Sequence, residues 1–211
     1  MRSQRLIMPF VLPLLIFLFG CSEDSAVTPS NDTASHYFPL EVGSVWTYVD
    51  ADGDTVEQRE VMDSYSLDGL VAYEMRRAEY GDNGPNFYAT TQLAHYKDAL
   101  LTRMANRYGM VSWWPVYILH PDSVGVELEV PFNQGQTTSI RLVEEVDKSI
   151  TIAGSTYSKC LQVRVITSGI YDCAGFWREY YAPGIGLVAR YTYRSFGAVP
   201  TLDYYLLSYK P

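Results

Sequence analysis

An all-β fold is expected, built on an antiparallel, strongly curved sheet of half-barrel or barrel-like form. Three observations predict it. Most segments from Val45 onward alternate apolar and polar residues with a period of two. Turn signals such as Asp68-Gly69 and Pro183-Gly184 punctuate those segments at strand-like spacing. Tyrosine, whose apolar ring and polar tip suit half-buried sheet faces, makes up 18 of the 211 residues. Sandwich, closed barrel and curved open sheet all satisfy this pattern.

The elements follow in order. Val45, Thr47 and Val49 alternate with Trp46 and Tyr48, and Asp-Ala-Asp-Gly-Asp turns the chain. Thr55 to Tyr65 continues as a strand, and Asp68-Gly69 is a strong hairpin signal before LVAYEMRRAEY. Later strand candidates are VGVELEVPF, TSIRLVEEV, SITIAG, TYSKCLQVRVIT, GFWREYYA, GLVARYTYRSF and TLDYYLLSY. In CLQVRVI, Leu161, Val163 and Val165 form a buried face, and Cys160, Gln162 and Arg164 a wet one. One region is ambiguous. Leu93, Tyr96, Leu100 and Met104 would share one face of a short helix around residues 91–106. Read as strands, the same residues turn at Lys97-Asp98-Ala99, and the surrounding rhythm favours that reading.

The first residues carry a different signal. MRSQR is basic, LIMPFVLPLLIFLF is an apolar run of 14 residues, and Gly20-Cys21 follows. The run is short for a membrane span and matches a secretory signal. Leu18-Phe19-Gly20-Cys21 resembles the bacterial lipoprotein processing box, which implies a lipid on the Cys21 thiol. Residues 1–20 are then a signal peptide and residues 21–36 a lipidated cysteine with a polar tether. Residues 37–211 form a single β domain. Acyl chains at Cys21 would hold the chain to a bilayer, each buried CH2 contributing about 0.8 kcal/mol. Ser22 favours the outer membrane by resemblance to enterobacterial sorting, while Glu23-Asp24 resembles surface-export signals. The expected location is therefore the bacterial envelope, as an outer-membrane lipoprotein facing the periplasm or the cell surface.

Formal charge is −8, and losing Arg2 and Arg5 with the leader makes it −10. No basic run occurs, so nucleic acid is not an expected partner. Beyond Cys21 the cysteines are Cys160 and Cys173, and an oxidising compartment would permit a bridge. A tight hairpin at Ser168-Gly169 would place Cys173 opposite Arg164. Cys160 would then lie four residues further along the strand, beyond disulfide reach. Hairpin and disulfide exclude each other.

Three short motifs carry a resemblance. Tyr37-Phe38-Pro39-Leu40, Gly43, Trp46 and Tyr48 resemble the opening "YFPL..G..W.Y" of a group of uncharacterised bacterial lipoproteins. Ala153-Gly154-Ser155-Thr156-Tyr157 with Cys160 and Val163 resembles that group's "AGTF..C..V". Tyr180-Tyr181-Ala182-Pro183-Gly184-Ile185-Gly186-Leu187-Val188 is similar to its "WYAPGVGLV". The resemblance spans the domain, extends to LolA/LppX-like half-barrels, and implies no catalytic residues.

Several constellations invite chemistry and are outweighed by plainer readings. Gly184, Gly186 and Ala189 have dinucleotide-turn spacing, but strand-like residues follow where a helix is required. Pro183, Gly184 and Gly186 are expected to form a structural turn. Asp50, Asp52 and Asp54 begin like a calcium loop, but the later ligand positions fail, leaving an acidic hairpin tip. His36, His95 and His120 lack metal spacing, and Glu144 and Glu145 point to opposite faces of a strand. No catalytic residue, metal or cofactor is expected. Trp113 and Trp114, with Tyr117, are the ligand-binding candidates, because adjacent tryptophans on a strand face opposite sides.

The expected function is that of a lipid-anchored, non-catalytic β protein. It would bind a hydrophobic ligand, such as an acyl chain, or an envelope partner protein. A surface glycan- or protein-binding module and a structural subunit of an envelope assembly are the alternatives.

Overall fold

The computed structural model describes residues 36–81, 84–105, 111–132, 137–168, 176–193 and 199–211. Cys21, its leader and Cys173 lie outside the described residues. Twelve strands form one antiparallel sheet: β1 (Val45–Val49), β2 (Thr55–Leu67), β3 (Leu70–Gly81), β4 (Gly84–Tyr96), β5 (Ala99–Ala105), β6 (Val111–Ile118), β7 (Glu127–Phe132), β8 (Thr137–Ile152), β9 (Ser155–Ser168), β10 (Phe176–Ala182), β11 (Gly186–Tyr193) and β12 (Thr201–Lys210). Their spatial order is β6-β5-β4-β3-β2-β1-β12-β11-β10-β9-β8-β7. The first and last strands pair, so the sheet curls until consecutive strands β6 and β7 face each other across a seam. The sheet is thus nearly closed into a barrel.

Pro115 in β6 and Pro131 in β7 give the seam a physical cause. Proline has no amide to donate to a further ladder and belongs on edge strands. A few local contacts bridge the gap. Arg141 Nη1 donates to the Val116 carbonyl at 2.6 Å, and the Gly125 amide donates to the Val143 carbonyl at 3.0 Å.

The ambiguous region is two strands joined at Lys97-Asp98, and the helical alternative around 91–106 is not realised. Ladder partners on both sides, β3 against β4 and β6 against β5, outweigh helix propensity. Asp68 and Gly69 both have positive φ, as the hairpin signal requires. Two expectations need correction. Arg178, not Cys173, lies opposite Arg164, and residues 169–175 lie outside the described residues. The expected wet face of β9 is not wet. Cys160 and Gln162 are buried, Gln162 because it donates to Glu144 on β8. Cys160 is a free thiol, and burial pushes its pKa up to about 11.

In this up-and-down order, alternate turns share an end of the barrel. The turns at Asp68-Gly69, Lys97-Asp98, Ala153-Gly154 and Pro183–Ile185 lie at the end where residues 36–44 enter. Here the three sequence motifs meet. Tyr37, Phe38 and Leu40 are buried as a plug. The Phe38 ring stacks at 6.2 Å from that of Trp46 and lies 6.2 Å from that of Tyr181. Trp46 Nε1 donates to the Ile185 carbonyl at 2.6 Å, and the Gly184 amide donates to the His36 carbonyl at 2.6 Å. Tyr37 donates its hydroxyl to the Lys159 carbonyl, and His95 Nε2 donates to the Phe38 carbonyl at 2.9 Å. The glycine turn is therefore the clasp of the plug.

Gly186 has φ +99°, and a methyl group there would sit 3.4 Å from Trp46 Nε1. Gly184, at φ +70°, would meet nothing within 4 Å. Gly186→Ala is expected to cost about 2 kcal/mol and Gly184→Ala about 1 kcal/mol. Urea midpoints at unchanged slope are the check; equal losses would show that Trp46 exerts no steric control over this turn.

Candidate functional site

The inward faces of the strands carry an unusual load of charge and aromatic rings. Along β10, Trp177, Glu179 and Tyr181 share a face by the period of two. A register shift at Tyr180/Tyr181 pairs Glu179 with Arg190 on β11, where an unshifted hairpin would oppose it to Ala189. Arg190 Nη2 lies 3.1 Å from Glu179 Oε1. Tyr117 on β6 donates to Glu179 Oε2 at 2.6 Å, Tyr181 to the same oxygen at 2.9 Å, and Trp177 Nε1 to Oε1 at 3.2 Å. Glu179 is only 3% exposed. Burial alone would raise its pKa. The charges of Arg190 and Arg141 and the two tyrosine hydrogen bonds outweigh burial and hold it below the usual range. Burial and the Glu179 charge keep Tyr117 protonated, its pKa pushed up to about 12 even with Arg141 nearby.

A second carboxylate sits toward the opposite end, at the start of β2. Glu57 is buried and accepts from Arg59 Nε and, at 2.7 Å, from Arg77 Nε. Burial raises its pKa, and those two guanidinium groups bring it below the ordinary value. Tyr48 and Tyr204 lie between the two carboxylate centres with ring centroids 5.2 Å apart. Arg59 lies over the Tyr48 ring at 5.1 Å, and Arg190 over the Trp177 ring at 4.7 Å. Each buried carboxylate is thus matched by a guanidinium, an arrangement that fixes position more than it creates reactivity.

The seam has its own small cavity. Tyr117, Val126, Leu128, Arg141, Val143 and Val163 enclose about 10 Å3, room for about one water. Arg141 stacks over the Tyr117 ring at 4.0 Å, and its Nε has no partner.

The three sequence-predicted ligand residues separate. Trp113 registers with Arg103 and Trp114 with Thr102, so they occupy opposite faces of β6, both half-buried. Tyr117 belongs to the interior network. His36, His95 and His120 are dispersed: His95 holds the plug, and His120 caps the turn at Pro121–Ser123. The Asp50 carboxylate accepts from the Asp52 and Asp54 amides at 3.0 Å each, which makes it a turn-former. Glu144 accepts from Arg178 and Gln162, while Glu145 pairs with Lys148 on the exposed side. The Glu179–Arg190 and Glu57–Arg59 pairs were not singled out from the sequence. Their one local signal is the alternation Trp-x-Glu-x-Tyr at residues 177–181, a charge on a face otherwise aromatic.

Glu179→Gln leaves the half-buried Arg190 without its counter-charge and is expected to cost about 3 kcal/mol at pH 7. A carboxyl whose folded pKa is depressed stabilises fully above its unfolded pKa of about 4.3. That stability is lost as pH falls through the lower folded value. Acid denaturation followed by tryptophan fluorescence should show a shallower loss below about pH 4 in Glu179→Gln than in the parent chain. Superimposable acid limbs would mean that Glu179 does not titrate with folding.

No family model and no curated protein matches the sequence. Solved structures do. A "putative lipoprotein" from Parabacteroides distasonis aligns with a TM-score of 0.55 and 16% identity, over 83% of this chain and 98% of that one. A "putative exported protein with YmcC-like fold" from Bacteroides fragilis aligns with a TM-score of 0.55 and 13% identity, over 83% and 99% of the two chains. At these identities the likeness is one of fold, and the chain shares that YmcC-like architecture.

Proposed function

We propose that this chain is an exported lipoprotein, anchored through Cys21 to the outer membrane, whose barrel is a non-catalytic module that binds an envelope partner protein. The charge on the inward faces carries this reading. A carrier of acyl chains requires a hollow lined predominantly by apolar side chains, whereas the described interior side chains include Glu57 with Arg59 and Glu179 with Arg190. Tyr117 and Tyr181 add phenol groups directed at Glu179, so an acyl chain there would lie against charge and not hydrocarbon. The buried carboxylates also support a non-catalytic role, since each is already committed to guanidinium and phenol donors. The plug adds orientation. Residues 36–44 lead into the plugged end, which on this reading faces the bilayer while the opposite end faces away. Trp113 and Trp114 lie near the start of β6, at that outward end, where a partner would meet them.

Two measurements test this on the full-length protein purified from its own host in mild detergent. Native mass spectrometry should return the acylated mature mass without further lipid; a stoichiometric co-purified lipid overturns the proposal. A photo-crosslinking residue in place of Trp113 should trap one protein partner in the envelope, whereas the same residue in place of exposed Leu207 on β12 should not. Glycan binding without a protein adduct would move the assignment to a glycan module. Cys21→Ala should shift the chain out of the acylated membrane fraction.

A further inference from the structure

We propose that the outer face of β2–β5 beside the plugged end is a membrane-docking surface, seated in the headgroup layer of a zwitterionic phospholipid bilayer. The proposal rests on the lipid-anchored part of the reading above and not on the protein partner. It starts from register. Tyr117 reaches Glu179 across the interior, so residues in line with Tyr117 face inward and their neighbours along each strand face out. Tyr65, Ala72, Ala94 and Leu101 pair in succession across four strands on that outer face. One row nearer the turns, Tyr96 comes level with Leu70, which pairs with Leu67. The result is two adjoining apolar rows. Tyr96 is 51% exposed, and Tyr65, Leu67 and Leu70 are half-buried. Farther along the same strands the outer face turns polar, with Glu60, Arg76 and Thr90 in register.

An apolar band at one end of these strands calls for a cover, and its position identifies the cover. Val42, Met62 and Val71 are exposed around the same end, Val42 and Met62 as near neighbours because the Gly43 amide donates to the Val61 carbonyl. This is the end at which residues 36–44 enter. Fourteen residues lie between Cys21 and His36, and a chain of that length reaches at most about 50 Å. Val27 is the one large apolar residue among them, so they do not supply the cover. Acyl chains at Cys21 put a bilayer within that reach. The side chains suit its interface. Tyr96 offers an amphipathic ring of the kind that sits at headgroup level, and Lys97 lies over that ring at 5.3 Å with its ammonium free to reach lipid phosphate. Two rows span about 7 Å along the strands, which matches the about 5–10 Å to which apolar faces enter the interface. Charge selects the lipid. From Asp63 to Glu74 and from Gln92 to Arg103, Lys97 and Arg103 stand against Asp63, Asp68, Glu74 and Asp98, two positive charges against four negative. Anionic headgroups would repel that excess, whereas zwitterionic ones would not.

The test uses the full-length acylated protein reconstituted in phosphatidylcholine vesicles that carry a shallow lipid-borne quencher. An environment-sensitive fluorescent amino acid replaces Tyr96 or, as control, Tyr88. Tyr88 is 60% exposed on the same outer face of β4 and lies about 26 Å farther from the plugged end. Quenching severalfold stronger at position 96 than at position 88 is expected. Equally weak quenching means that this end stands clear of the bilayer and overturns the surface. Equally strong quenching means that the barrel lies along the bilayer and overturns it too. A probe at position 96 shielded from aqueous iodide but not quenched by lipid means that a protein covers the band, which also overturns the proposal. Stronger quenching after phosphatidylglycerol is added overturns the zwitterionic assignment. Tyr96→Asp, at a side chain half in solvent, should leave the melting temperature near that of the parent and weaken lipid quenching of the same probe placed at Met62. Unchanged quenching there would remove Tyr96 from the surface. The mass of the reconstituted chain separates two failures. Missing acyl chains overturn the anchored reading and this inference with it, whereas an acylated chain with its position 96 probe in water overturns this inference alone.

Discussion

The indole of Trp46 is the contact on which the rest of the structure depends. Its N–H donates to the Ile185 carbonyl, its ring is stacked between Phe38 and Tyr209, and Gly186 exists in its positive φ beneath it. One side chain thereby ties the incoming segment, the first strand, the last strand and the β10–β11 turn into a single end-piece. That end-piece holds β1 against β12, and their pairing makes a barrel of what would otherwise be an open twisted sheet. With the ring joined at the chain ends, the discontinuity has to fall elsewhere. It falls between β6 and β7, whose prolines suit them to be edges.

The interior follows from that geometry. A twelve-stranded ring is wide for a packed core of aliphatic side chains alone. Large residues solve the problem: Trp, Tyr and Arg span the space, and their polar ends then need partners. Glu179 and Glu57 supply those partners, each acting as a hub for donors arriving from different strands. The polar core is in this sense a consequence of width, and the functional reading rests on its charge.

Much of this was legible from the residues. Period-two alternation yielded the strands, and Asp68-Gly69 and Pro183-Gly184 located turns, because these signals act over a few neighbouring residues. The ambiguous stretch at 91–106 resolved as strands through ladder partners on both sides, an effect that no window of sequence contains. Burial of Gln162 and Cys160 was missed for a related reason. Whether an alternating face is wet depends on what lies across it, here Glu144 and Arg178. The Glu179–Arg190 pair was hidden by a single-residue bulge that re-phases β11. Trp113 and Trp114 take opposite faces by strand geometry alone, but Tyr117, grouped with them by proximity in sequence, belongs to the interior because β6 is irregular opposite Leu100/Leu101.

The pairing of β1 with β12 also sets the order in which the molecule can be finished. Among the described residues every other ladder joins sequence neighbours and can zip as a local hairpin, whereas this one must wait for segments about 160 residues apart to find each other. Until β12 is delivered, the earlier strands form an arc with both margins open and the Phe38 plug lacks half its socket. Such an arc becomes rigid only at the last step, so the topology doubles as a timer for folding.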